Sequence, residues 1–249
     1  MKTLLPLLLW CICAAGSLAQ DVSGLALAAI RQNRQLFPLC ARTNFSATVR
    51  FEMLAPAGQH RLTLPFRYST ADGLVRQEIL IGEMTDFPQE SRLHAKQLGF
   101  DTMTVVVRPD ESKVYVLMDW LRAYCELPVP EAAMKDALGK EYKFQETVTG
   151  TEVVGGYECT KAKFIEVAHP KDVATIWRSK ALGGFPLKVE MISPDLSGMS
   201  FHFTQVDLRK PSPDSFSIPT NYVKLPDSKS FIPYALEQLK RQNIPSSKP

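Results

Sequence analysis

Hydrophobic and polar side chains alternate along most of the chain after residue 44. Between Phe45 and Met53, apolar side chains recur at every second position, with polar residues such as Arg50 and Glu52 between them. This period of two is typical of a half-buried β-strand. The pattern recurs in the runs 62–68, 74–81, 103–107, 113–118, 142–148, 151–154, 157–167, 173–178, 186–192 and 200–208. We therefore expect roughly ten strands.

Short links between these runs predict the pairing of the strands. Residues 108–112 and the pair Gly155-Gly156 are of hairpin length, and glycine pairs suit turns with positive φ. Parallel neighbours need crossovers of about a dozen residues, so links this short favour antiparallel pairing.

A period of 3.6 marks fewer segments. It predicts a helix over 22–37 that ends before Pro38 and shorter helices over 130–138 and 233–242, while residues 88–98 are expected to be helical or irregular. The predicted fold class is α+β: a large curved antiparallel sheet of about ten strands, open or nearly closed, with helices against one face.

The first residues have the features of an export signal. Lys2 precedes an apolar run over 4–15, and small residues stand at −3 and −1 of a cut after Ala19. The run is too short to cross a bilayer. We expect a signal peptide over 1–19 and an exported, periplasmic protein.

Charge and motifs exclude several functions. The chain has 29 basic and 26 acidic residues and a net charge of +3, which is too even for a nucleic-acid surface. The four histidines lack metal-ligand spacing, and no HExxH, CxxC or Gly-x-Ser-x-Gly motif occurs. We therefore expect no enzyme activity, no metal and no cofactor.

Three cysteines remain after the predicted cut: Cys40, Cys125 and Cys159. In an oxidising compartment any two could form a disulfide. We favour Cys125 with Cys159, because both lie in or beside predicted strands; three buried thiols are the alternative.

Large apolar side chains on the predicted strands are the candidates for a binding cavity. They are Phe51, Met53, Leu62, Leu64, Phe66, Trp120, Trp177 and Phe201. If the helix over 22–37 fills one side of the sheet, these residues are core. If it covers that side only in part, they line an apolar cleft suited to acyl chains.

Three stretches resemble a known group: 150–164 with Gly-Tyr-x-Cys-Thr-Lys, 174–190 with Trp followed by Gly-x-Pro-Leu-Lys, and 207–225 with its Pro, Phe, Ile-Pro and Tyr spacing. Over Arg42 to Leu225 the sequence is similar to the LolA-like superfamily, the periplasmic outer-membrane lipoprotein carriers, and most of all to an uncharacterised branch. The resemblance implies a half-open β-barrel with helices on its concave face. It also implies lipid binding without catalysis.

The resemblance leads to a domain map: a signal peptide over 1–19, a LolA-like half-barrel over 20–226, and a C-terminal helix and loose tail over 227–249. The implied partners are a lipid acyl chain or a lipidated protein, with a membrane-associated acceptor. Arg50, Arg61, Arg67 and Arg76 are equally placed to be the arginine that holds a carrier's lid. The alternatives are an envelope protein-interaction or sensor module without a lipid ligand, and an enzyme acting on envelope lipid.

Overall fold

The computed structural model describes residues 44–54, 62–86, 88–97, 101–132, 135, 143–167, 169–192 and 198–242. Twelve strands form one sheet in this part of the chain. They are β1 (Phe45–Leu54), β2 (Leu62–Ala71), β3 (Leu74–Leu80), β4 (Thr102–Arg108), β5 (Lys113–Met118), β6 (Ala123–Pro128), β7 (Phe144–Val154), β8 (Tyr157–Glu166), β9 (His169–Ser179), β10 (Phe185–Ile192), β11 (Gly198–Asp207) and β12 (Val223–Leu225). Helices α1 (Gln89–Gln97) and α2 (Phe231–Gln242) accompany the sheet, and neither is long and apolar enough to span a bilayer.

Two meanders meet in the middle of this sheet. The order is β12-β6-β5-β4-β3-β2-β1-β11-β10-β9-β8-β7, so β1 to β6 spread towards one edge and β11 to β7 towards the other. β1 and β11 pair antiparallel along most of their length and join the two halves. The prediction of a large, open, curved antiparallel sheet is confirmed, with more strands than expected.

Two strands, β6 and β12, were not predicted from the alternation pattern. β6 is short and ends in proline, and β12 has only three residues. β12 pairs with β6 in parallel, which is an exception to the expected antiparallel order. A strand this short carries no readable period, so its pairing could be found only from the tertiary structure.

Three glycines with positive φ determine the backbone geometry of β7 and of its turn to β8. The runs 142–148 and 151–154 are one strand, because Gly150, with φ of 153°, lies at a β-bulge rather than at a break. Gly155 and Gly156, with φ of 57° and 84°, form the two-residue turn to β8. Both values are in the left-handed region, as predicted for a glycine pair in a hairpin.

The apolar face of the sheet carries the two largest hydrophobic clusters. We define it as the face that bears Val49, Phe66, Val116 and Ile176. The first cluster spans both meanders and contains three of these residues. The second lies on β4 to β6 around Val116, where Phe231 of α2 packs.

The opposite, polar face is covered in one place by the segment after β11. Phe216, in a one-turn 3-10 helix (Pro213–Phe216), is buried against Val106 and Leu117. Arg76, from the neighbouring strand β3, donates to the carbonyl of Ser215 over 3.3 Å. The segment after β11 is therefore fixed on the sheet.

Residues 88–98, expected to be helical or irregular, contain α1, and the predicted helix over 233–242 corresponds to α2, although α2 already begins at Phe231. The predicted helix over 22–37 lies outside the described residues. Of the predicted helix over 130–138, the structure describes residues 130–132 and 135, of which 131, 132 and 135 are helical. The half-barrel, the concave-face helices and the domain limits at 19 and 226 stay predictions.

The packing at the seam between the meanders predicts a matched pair of stability effects. Val49 is fully buried between β2 and β11, whereas Val153 on the edge strand is 69% exposed. We expect Val49→Ala to lower the free energy of unfolding by about 2 kcal/mol, through lost apolar burial and a small cavity. Val153→Ala should change it by less than about 0.5 kcal/mol. Urea unfolding measures both, and equal effects would contradict the assigned core.

Candidate functional site

A row of long, flexible side chains crosses four neighbouring strands at one end of the apolar face. Met53 of β1 is in register with Leu62 of β2 and with Met199 of β11, and Met199 is in register with Met191 of β10. We call these four residues the methionine row. Met53 is 46% exposed and Leu62 is 38% exposed, and the other two are half-buried.

Burial increases from this row into the sheet. The next row is formed by Leu64, Phe51, Phe201 and Val189, of which the first two are half-buried and the last two are buried. The rings of Phe51 and Phe201 lie 5.0 Å apart between centroids. Beyond them, a third row is wholly buried and consists of Phe66, Val49 and Phe203. The apolar face is thus packed in its interior and open at one end.

Six of the eight predicted cavity residues meet in these rows: Phe51, Met53, Leu62, Leu64, Phe66 and Phe201. Phe66 and Phe201 are core, whereas Met53 and Leu62 form the exposed end. The methionine row also contains Met191 and Met199, which are not among the eight predicted residues. The alternation that marks Phe201 predicts Met199 two positions earlier on the same face.

Trp177 lies elsewhere. It is in register with Lys161 and Lys188, and the two ammonium groups stand 4.8 Å and 4.4 Å from the centroid of its ring. Its neighbour Ile176 belongs to the apolar face, so Trp177, one position further, points to the other side of the sheet, where it is nevertheless buried and counted in the first hydrophobic cluster. The lysine stems cover the indole, and cation–π attraction holds them there.

The indole of Trp177 also holds a carboxylate. Its Nε1–H donates to Glu152 over 2.9 Å, and Lys161 forms an ion pair with the same group at 3.1 Å. The hydrogen bond from Trp177, followed by that from Lys161, lowers the pKa of Glu152. Trp177 is therefore a buried residue of the first hydrophobic cluster that also takes part in a polar network, and it does not belong to the three apolar rows.

Trp120 belongs to the second hydrophobic cluster. It lies in the turn between β5 and β6 and packs half-buried with Leu121, Met103 and α2. Ile79 contacts both clusters, so the two are neighbours on the same face. Trp120 is thus separated from the methionine row by packed side chains.

The two cysteines do not form the predicted disulfide. Cys125 and Cys159 are free thiols, buried on β6 and β8 in different clusters. Strands β5, β4, β3, β2, β1, β11, β10 and β9 stand between them in the sheet. Burial raises the pKa of Cys125 to about 12 and also raises that of Cys159, so both stay protonated at neutral pH.

Arginine and histidine occupy the polar face. Arg50, Arg67 and Arg76 all point to this side, and Arg61 lies outside the described residues. The Nε2 atom of His202 lies 2.9 Å from the buried hydroxyl of Ser200. In the described part of the chain, no group of three histidine, cysteine or carboxylate side chains is arranged to hold a metal ion.

His202 gives the polar face a predicted pH response. Burial, followed by the charge of Lys188, lowers the pKa of His202 below 6.5. Of the other nearby charges, Glu52 and Glu190 raise this pKa and Arg50 lowers it. The unfolded chain then binds a proton more readily than the folded chain, so the free energy of unfolding should fall as pH drops through about 6.5. His202→Gln should flatten this step in urea titrations at pH 7.5 and pH 5. An NMR titration that gives the His202 ring a pKa at or above 6.5 would contradict this prediction.

Comparisons with known proteins find one family and several solved structures. The family described as Domain of unknown function (DUF4412) matches residues 63–186, from the start of β2 to the start of β10. No curated protein matches the sequence. An uncharacterized conserved protein from Thermus thermophilus is similar in structure, with a TM-score of 0.43, 12% identity, and coverage of 80% of this chain and 98% of that one.

Two further solved structures are similar. A MucA/MucB complex from Pseudomonas aeruginosa has a TM-score of 0.36 and 14% identity, and the match covers 71% of this chain and 57% of that one, less than two thirds of its length. A LolA superfamily protein from Nitrosomonas europaea has a TM-score of 0.30 and 10% identity, with 76% and 96% covered. The chain therefore carries a DUF4412 segment, and the solved structures similar to it include a LolA superfamily protein.

Proposed function

We propose that this chain is an exported, soluble, non-catalytic protein that binds the acyl chain of a lipid or of a lipidated partner at the open end of its apolar face. The gradient of burial from the methionine row to Val49 supports this most directly. A face that is only core would close at both ends, whereas this one exposes large apolar side chains next to a packed interior.

Burial alone can provide the affinity. Each CH₂ group removed from water contributes about 0.8 kcal/mol, so an acyl chain needs few polar contacts. The methionine row spans four strands, which at about 4.8 Å between neighbours gives roughly 14 Å of apolar surface. Methionine side chains adapt to ligands of different shape, which suits acyl chains of varied length.

The place of action follows from the predicted signal peptide. A chain cut after Ala19 would work outside the inner membrane, in the periplasm, and pass its cargo to a membrane-associated acceptor. Such a carrier handles lipid or lipoprotein destined for the outer membrane. The acceptor would need only to offer the acyl chain an apolar surface that competes with the methionine row.

A charge in the methionine row should abolish this binding. Met53→Glu places an ionised carboxylate where the acyl chain would lie, and its desolvation should weaken binding of a fluorescent fatty acid at least tenfold. Met53 is half-exposed, so the urea midpoint should stay unchanged. Val153→Glu is the matched control, because it makes the same charge change at an exposed valine on β7.

Two results would argue against acyl-chain binding. One is equal affinity in the wild type, Met53→Glu and Val153→Glu. The other is a wild-type protein that carries no lipid in native mass spectrometry after purification from an exporting host and also ignores added fatty acid.

The edge strand β7 favours a second candidate function, binding of a protein partner. Among the described strands, β7 pairs with β8 alone, and it runs for 11 residues without proline or lysine. Val148 and Val153 on this edge are 62% and 69% exposed. Free edges of this kind accept an extended segment of another chain as an additional strand.

Lysine residues on this edge distinguish the two functions. We expect Val148→Lys with Val153→Lys to remove a stoichiometric protein partner from the purified complex, because charged edges disfavour strand addition. Fatty-acid binding should be unchanged in this variant. Native mass spectrometry measures both, and a partner that stays bound to the lysine variant but leaves Met53→Glu would place protein binding at the methionine row instead.

A further inference from the structure

A polar cleft lies on the polar face, at the strand ends remote from the methionine row. Its volume is about 280 Å³, several times the roughly 30 Å³ of one water molecule. Its polar side chains are those of Ser46, Thr48, Arg67, Ser69, Arg76, Glu78 and Gln205, which we call the arginine cleft. They come from β1, β2, β3 and β11.

Strand register brings these groups together. Ser46, Ser69 and Arg76 form one cross-strand row. Thr48 and Arg67 form the next, with Glu78 opposite Arg67. Hydroxyl and guanidinium groups therefore stand side by side on a rigid sheet rather than on loops.

A bulge in β11 forms one wall of the cleft. The register with β1 shifts between Ser46 and Thr48, and the extra length includes Gln205, whose φ is +48°. This left-handed backbone is unfavourable for a residue other than glycine, and such strain is concentrated at functional sites. Thr48 donates to the Oε1 atom of Gln205 over 2.8 Å, which aims the amide into the cleft.

The two guanidinium groups are held in place before any ligand arrives. Arg76 forms an ion pair with Glu78 at 2.8 Å and donates to the carbonyl of Ser215 at 3.3 Å. Arg67, whose side chain is 61% exposed, reaches the other oxygen of Glu78 at 3.3 Å. Each guanidinium has five N–H donors, so both keep donors beyond these contacts. Two cations and one anion leave the cleft with one positive charge.

We propose that the arginine cleft binds a phosphate-type oxyanion, either free or as part of a small phosphorylated molecule. Fixed guanidinium forks form paired hydrogen bonds with phosphate oxygens, and the serine hydroxyls beside them supply further donors. The spare positive charge favours an anion over a neutral ligand. This site lies on the other face of the sheet from the methionine row, so the two ligands bind independently.

Titration with inorganic phosphate tests the site, with glycerol 3-phosphate, a fragment of a lipid headgroup, in a parallel arm. The NMR signals of Ser69 and Gln205 report binding. Arg67→Gln should weaken binding about tenfold, because it removes a charge-assisted contact from an exposed side chain that the fold does not need. Glu78→Gln should tighten it, since the competing carboxylate is lost.

The matched control is Arg241→Gln, an exposed arginine paired with Glu237 on α2. It makes the same change of net charge far from the cleft and should leave binding unchanged. Saturable binding of phosphate alone indicates a small-anion site, and tighter binding of glycerol phosphate indicates a headgroup; both support the proposal if they depend on Arg67. No saturable binding of either probe, or equal weakening by Arg67→Gln and Arg241→Gln, overturns it.

Discussion

The pairing of β1 with β11 is the contact on which both sites depend. It joins two meanders that are otherwise separate in the sheet, through strands that lie some 150 residues apart in sequence, as the Thr48–Gln205 hydrogen bond shows with a separation of 157. At one end of this seam, Met53 stands beside Met199 and creates the methionine row. At the other end, the bulge at Gln205 opens the arginine cleft. Contacts this distant in sequence are slow to form and costly in chain entropy, so the seam must be stabilised by dense packing on its apolar side.

Dense packing at the seam also explains why the methionine row is the open end. Val49 and Phe203 are buried in the middle of β1 and β11, where paired residues continue on either side of them along the strands. Towards Leu54 and Gly198 the register comes to its end, so the side chains of the methionine row have a packed row on one side only. Met53 and Leu62 stay 46% and 38% exposed there, so packing within the described fold does not account for these two side chains.

Local pattern was enough to predict most of the sheet. Side-chain alternation identified the long strands, and the pair Gly155-Gly156 gave the β7–β8 turn, because both signals depend on neighbouring residues only. The order of the strands could not be found in this way, since the contact between β1 and β11 joins distant segments. The parallel pairing of β12 with β6 could not be predicted either, because it also joins distant segments.

Residues of the candidate site could be predicted where their positions follow the side-chain alternation of the strands. Phe51, Met53 and Phe201 share a face because they hold matching positions on paired strands. Trp177 is also a large buried residue, but it stands next to Ile176 and therefore points to the opposite side of the sheet, where lysine side chains cover it. The Cys125–Cys159 pairing failed because proximity to strands says nothing about which strands are neighbours.

The surroundings of Trp177 determine which ligands suit the polar face of β7 to β10. The ring of Trp177 is 2% exposed, because the side chains of Lys161 and Lys188 cover it and place their charges above it. Their partners Glu152 and Glu190 balance that charge, so the face carries alternating ions rather than one strong field. Another sheet cannot stack on such a surface without desolvating these ions. This side of β7 to β10 is therefore a poor surface for apolar ligands, whereas the exposed apolar side chains of the methionine row lie on the other face of the sheet.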